Sequence, residues 1–168
     1  VLYSEVPKSC YFNISVQLNA NIARILPKFG KQSKTMNLYS APAWLRILYP
    51  KGIYWQLPAK GKEVFLTFDD GPIPEVTPLV ISILNKYKVK ATFFCVGENI
   101  EKYPEIFELL TQNGHVVGNH TYHHVKGWKT KYPAYIDEVE QCQKLVKSRF
   151  FRPPYGQITR KIARKLSK

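Results

Sequence analysis

The 168-residue sequence has only three cysteines, Cys10, Cys95 and Cys142, and a single methionine, Met36. An odd, widely spaced set of cysteines argues against a disulfide framework, and the lack of Cys-x-x-Cys spacing argues against a zinc knuckle. Cys95 falls in the apolar run Ala91–Val96 and reads as a small core residue, while Cys142 falls within a predicted helix. No apolar run approaches the ~20 residues of a membrane-spanning helix. The segment beginning at Val1 lacks the charged-then-apolar layout of a signal peptide, so the compartment stays open. Acidic residues are also missing from two stretches. Residues 36–62 carry four basic and no acidic residues, and residues 149–168 carry seven basic and none acidic. The net charge of +13 therefore sits at the ends, because residues 63–148 carry nine basic against eleven acidic residues. A nucleic-acid-binding domain should be basic on its working surface, so no nucleic-acid partner is expected. The basic ends fit an anionic polymer, a membrane surface or an acidic neighbour.

What the sequence does have is 45% hydrophobic residues and enough length for one domain with a core. Three segments are distinguishable: an N-terminal extension over 1–35 without clear period, expected to be poorly ordered; an aromatic lead-in over 36–62; and a domain over 63–168. The natural product is expected to start at Met36. The lead-in carries Trp44, Tyr49, Tyr54 and Trp55, which suit either packing on the domain or an interfacial membrane segment. From residue 63 strands and helices alternate. Val64–Phe68, Ala91–Val96, His115–Gly118 and Arg149–Arg152 read as strands. Helical spacing marks Glu75–Tyr87 (Val76, Leu79, Val80, Ile83, Leu84, Tyr87), Pro104–Gln112, Tyr135–Lys147 and a last helix on Ile158, Ile162 and Leu166. Such alternation predicts α/β class with parallel strands and active-site residues at their carboxyl ends. The pattern does not separate an open sheet from a barrel.

Three polar clusters fall at those strand ends: Thr67-Phe68-Asp69-Asp70-Gly71-Pro72, Asn119-His120-Thr121-Tyr122-His123-His124, and Phe151-Arg152-Pro153-Pro154-Tyr155-Gly156. His120 and His124 are four apart, so one helical turn would put both imidazoles on one side. A carboxylate added to two histidines makes a three-ligand site with open positions. His123 competes with His124 for that role, whereas His115 and Asn119 read as structural or turn residues. Asp69 and Asp70 should point to opposite faces of a strand, and the Gly71-Pro72 turn is expected to bring both to one pocket.

These clusters resemble those of the polysaccharide deacetylases of the NodB-homology group, carbohydrate esterase family 4. The resemblance runs from about Met36 to the end and is strongest between Val64 and Gly156. It implies a distorted (β/α) barrel, here partial with its last strands missing. It implies metal-dependent removal of acetyl groups from an acetylated glycan, such as chitin-like polymer or peptidoglycan. By the resemblance, Asp70, His120 and His124 hold a divalent metal, zinc first, and Asp69 is the general base. Arg152 orients Asp69, the Tyr155 backbone N–H receives the oxyanion, and Pro153, Pro154 and Tyr155 line the substrate. A glycan polymer suggests the envelope or exterior; oligomeric state is undetermined. The family's late Leu-x-His, a general acid, has no counterpart, since all four histidines lie at or before His124. A fragment with incomplete catalysis and low stability is therefore expected, and a glycan-binding or scaffold protein that keeps the pocket is the alternative.

Overall fold

The computed structural model describes residues 46–55 and 64–167 together with the backbone of residues 9–11. Among the described residues six short strands form one sheet: β1 Ser9–Tyr11, β2 Ile53–Tyr54, β3 Thr67–Gly71, β4 Thr92–Cys95, β5 Val116–Asn119 and β6 Phe150–Phe151. Their spatial order is β2-β1-β6-β5-β4-β3, and every pairing is parallel. The expected α/β architecture is thus present, and the sheet does not close into a barrel. Residues 9–11 belong to the predicted extension over 1–35 yet enter the sheet between β2 and β6. The rest of 1–35, Met36 and Trp44 lie outside the described residues. Neither β1 nor β2 was legible in the sequence, because two or three residues carry no period.

Among the described residues the strands are accompanied by helices α1 Thr77–Lys86, α2 Gly97–Lys102, α3 Pro104–Gln112 and α4 Tyr132–Val146, and α5 Arg160–Leu166 follows the last strand. Several boundaries differ from the sequence reading. α1 starts at Thr77, not Glu75, because a turn closes first through Thr77 N–H donating to Ile73 O at 2.8 Å, with proline in the first helical turn. α4, by contrast, starts earlier than predicted, at Tyr132 rather than Tyr135, with a proline in its first turn. α2 went unpredicted because among its side chains only Ile100 is an apolar anchor. β3 is shifted: it begins at Thr67 rather than Val64 and runs through both aspartates.

The core forms two contiguous clusters. One joins Ile81 and Leu84 of α1, Phe93 and Cys95 of β4, Ile100, Leu110, and Cys142 and Val146 of α4. The other joins Tyr135, Ile136 and Val139 of α4 to Phe151, Ile158, Ile162 and Ala163, with Tyr49 and Ile53 packed against it. Each fully buried side chain of this kind contributes about 1.5–3 kcal/mol. Tyr49 also donates its hydroxyl to Ile158 O at 3.0 Å, so this part of the aromatic lead-in packs on the domain. The stripe read on α1 is corrected here. Ile81 and Leu84 are buried, Val80 packs on them, and Val76, Leu79, Ile83 and Tyr87 are exposed. This helix is apolar on more than one side, so periodicity did not select the face laid on the sheet.

Candidate active site

The site gathers at the carboxyl ends of β3, β5 and β6. Thr67 and Asp69 are two apart on β3, hence on one face. One guanidinium nitrogen of Arg152 therefore reaches both, donating to Asp69 Oδ1 at 2.7 Å and Thr67 Oγ1 at 3.0 Å. Arg152 is buried, with its guanidinium carbon 4.1 Å from the Phe94 ring centroid. Phe94 in turn requires Gly118: a Cβ there would meet the Phe94 ring at 2.6 Å.

Asp70 departs from the strand. The pairing register slips between Asp69 and Gly71, opposite Phe94 and Cys95, so Asp70 is the extra residue of a bulge and has φ 68°. This corrects the expectation that the Gly71-Pro72 turn would unite the two carboxylates: the bulge turns Asp70 while Asp69 keeps its ladder position. Asn99 Nδ2 donates to Asp70 O at 2.8 Å and holds the bulge.

The histidines are not on a helix, contrary to the one-turn reading. They occupy a loop after β5 in which Thr121 and His124 take positive φ, 64° and 55°. His120 Nε2 lies 3.3 Å and His124 Nε2 3.0 Å from the same Asp70 Oδ1. These three residues could hold a metal ion, with ligand atoms all within 4.8 Å of one another. His123 turns away, its Nδ1 lying 2.8 Å from Glu138 Oε1. His115 is buried at the opposite end of β5, its Nδ1 accepting from Ala91 N–H at 3.3 Å. Asn119 organises the loop, accepting from Thr121 N–H at 2.9 Å and donating to Val139 O at 2.8 Å.

The donor chemistry fits a divalent cation. His120 Nδ1 lies 2.7 Å from Arg152 O, which only accepts, so Nδ1 carries a proton and, in the neutral ring, Nε2 presents a lone pair to Asp70. A lone pair facing a carboxylate oxygen is repulsive unless a cation or proton lies between them. The His120 imidazole holds the Asp70 carboxyl below its ordinary value; partial burial opposes this, and His124 and the His120 charge reinforce it. Burial pushes the His124 imidazole down, against the charge of Asp70, which favours the neutral ligand form.

Tyr155 follows Pro153 and Pro154 in a short 3-10 turn, Pro154–Gly156, with φ 56° at Tyr155. Its exposed ring lies 4.7 Å from His124 and 5.0 Å from Lys126 Nζ. Both prolines are fully buried and brace the turn. Sequence reasoning missed Thr67, Asn99, Gly127 and Glu138 around the site. The Thr-x-Asp spacing on a strand could have pointed to Thr67; the other three give no sequence signal.

Comparison with known proteins bears on the family and the fold of the chain. Residues 56–168 match the family model described as polysaccharide deacetylase. A peptidoglycan-N-acetylglucosamine deacetylase of Bacillus cereus is 42% identical over 107 residues, covering 60% of this chain and 39% of that protein. A chitooligosaccharide deacetylase of Azorhizobium caulinodans is 35% identical over 114 residues, 62% of this chain and 53% of its own length. The crystal structure of the Bc1960 peptidoglycan N-acetylglucosamine deacetylase superposes with TM-score 0.59 and 38% identity, over 61% of this chain and 51% of that one. The chain thus spans about half, or less, of the proteins it resembles. With the family match covering most of the chain and a solved member sharing its parallel α/β fold, the chain belongs to the polysaccharide deacetylase family.

Proposed function

We propose that this chain carries the metal-binding and base half of a deacetylase acting on an N-acetylated glycan, chitin-like or peptidoglycan. The observation that carries this reading is the convergence of Asp70, His120 and His124 beside an Asp69 clamped by Arg152. Asp70 Oδ and the two Nε2 atoms would hold a divalent cation, zinc by the Asp-His-His set. When bound, such an ion supplies a Lewis acid for the acetamide carbonyl and makes water more acidic. Asp69 accepts the proton of the attacking water, and Arg152 fixes the carboxylate through Oδ1, leaving Oδ2 for that water. The Tyr155 backbone N–H donates to the oxyanion that forms as water adds to the carbonyl carbon. The exposed Tyr155 ring, with Pro153 and Pro154 behind it, forms the wall for the sugar. A C–O bond forms, the C–N bond breaks, and acetate and a glycan amine result. That amine takes up a proton, which balances the one Asp69 removes from water. His115 is buried at the far end of β5, His120 and His124 face Asp70, and His123 pairs with Glu138, so none of these histidines is placed to give it.

The test is acetate release from N-acetylglucosamine oligomers and from peptidoglycan by the chain carried on to its relatives' length, with zinc added or chelated. Zinc-dependent release supports the reading and ranks the substrates. Saturable glycan binding without acetate at any metal load would replace it with the glycan-binding alternative.

A further inference from the structure

The loop His120–His124 reaches its observed form at a local cost. Two of its non-glycine residues, Thr121 and His124, sit in left-handed backbone, each costing about 1–2 kcal/mol. Such strain persists only where surroundings over-determine the backbone. Three sets of bonds do so. Gly97 N–H and Glu98 N–H donate to Thr121 O and Tyr122 O at 3.0 and 2.9 Å. Asn119 holds Thr121 from within the strand. The third comes from α4, where the Glu138 carboxylate takes both donors of one residue: His123 N–H to Oε2 at 2.7 Å and the His123 ring at 2.8 Å from Oε1. The Glu138 side chain is only 15% exposed, so a carboxylate largely withdrawn from water meets its needs through His123.

This clamp lies next to His124. Holding the backbone and ring of His123 fixes the peptide that enters His124 and removes the neighbouring imidazole from the pocket. We propose that Glu138 is a positioning residue that selects His124, rather than His123, as the second imidazole facing Asp70. The inference rests on the reading of Asp70, His120 and His124 as a metal site, but its geometry can be read without metal.

The test compares the parent with Glu138→Met, which keeps bulk and helix propensity, and Glu138→Gln, whose amide oxygen still accepts from His123 N–H. The first readout is metal-free: ring-proton NOEs between His124 and Tyr155, whose centroids are 4.7 Å apart. The second is zinc affinity by competition with a chromophoric chelator, taken well below each variant's melting temperature. Expected are NOEs in the parent and in E138Q, their loss in E138M, and zinc binding weakened about 10- to 100-fold in E138M but less than about fivefold in E138Q. A merely structural glutamate would lower the melting temperature without moving the NOEs or the affinity of folded protein. NOEs and affinity unchanged in E138M overturn the inference. If the parent binds no zinc, the metal reading fails and the NOEs alone decide the role of Glu138. If E138M does not fold, amide exchange in the parent decides: His123 N–H slowed at least about tenfold supports the clamp, and exchange at the free-peptide rate refutes it.

Discussion

Gly127→Ala tests the packing that joins the histidine loop to the Tyr155 turn. A Cβ at Gly127 would lie 2.0 Å from the Gln157 carbonyl oxygen and 2.8 Å from its carbon, against 3.4–4 Å for ordinary contact. The obstruction is backbone, so no rotamer relieves it, and the two segments must part by roughly 1 Å or more. Overpacking of this kind costs about 1–3 kcal/mol, or about 2–12 °C of melting temperature for a chain of this size. The displaced elements carry His124 and Tyr155, whose rings touch, so the pocket opens with them. A misplacement of about 1 Å in such a pocket can lower turnover on the order of 100-fold. The control is Gly114→Ala. Gly114 has φ 69° but its nearest neighbour is 3.8 Å away, and it lies after α3 at the opposite end of the sheet. That change costs about 1–2 kcal/mol of left-handed strain and should leave acetate release intact. Thermal melts of both variants, and acetate release by both in the chain carried on to its relatives' length, give the answer. If G127A matches G114A in both measurements, the two loops do not meet as described.

Asp70→Asn removes the anionic partner of both imidazoles and should weaken zinc binding by about 100-fold or more, taking roughly 3 kcal/mol per ligand; affinity within threefold of the parent in a chelator competition counts against Asp70 as a ligand. Arg152→Met deletes two bonds from a charged donor, one to the Asp69 carboxylate and one to the Thr67 hydroxyl, so the denaturation midpoint should fall by the equivalent of about 3–6 kcal/mol; an unchanged midpoint would be inconsistent with a buried clamp. Burial pushes the His115 imidazole down, with Lys90 adding to the effect, so the unfolded chain takes up its proton first as pH falls. The stability tied to neutral His115 is whole above about pH 6.5 and is lost as pH falls through the lower folded value, at up to about 1.4 kcal/mol per pH unit. His115→Asn, whose Oδ1 can replace Nδ1 as acceptor for Ala91 N–H, should flatten that acid limb; identical limbs in both proteins would refute the assignment.

The sequence by itself determined the alternation of strands and helices, the parallel class and the three polar clusters. Short continuous apolar runs such as Ala91–Val96 and helical stripes such as Ile106, Leu109 and Leu110 are local properties, and turn chemistry at Asp-Asp-Gly-Pro marks a strand end. Tertiary structure decided how those clusters meet. The bulge at Asp70 depends on register against Phe94 and Cys95, which no single strand encodes. His123 and His124 are equal in sequence, and what separates them is Glu138 on α4, fifteen positions from His123. The exposed and buried sides of α1 were likewise set by what lies beneath the helix, because its apolar residues offered more than one face. Local pattern fixes the longer elements, though not the short β1, β2 and α2; pairing register and contacts distant in the chain fix which side chains face the pocket.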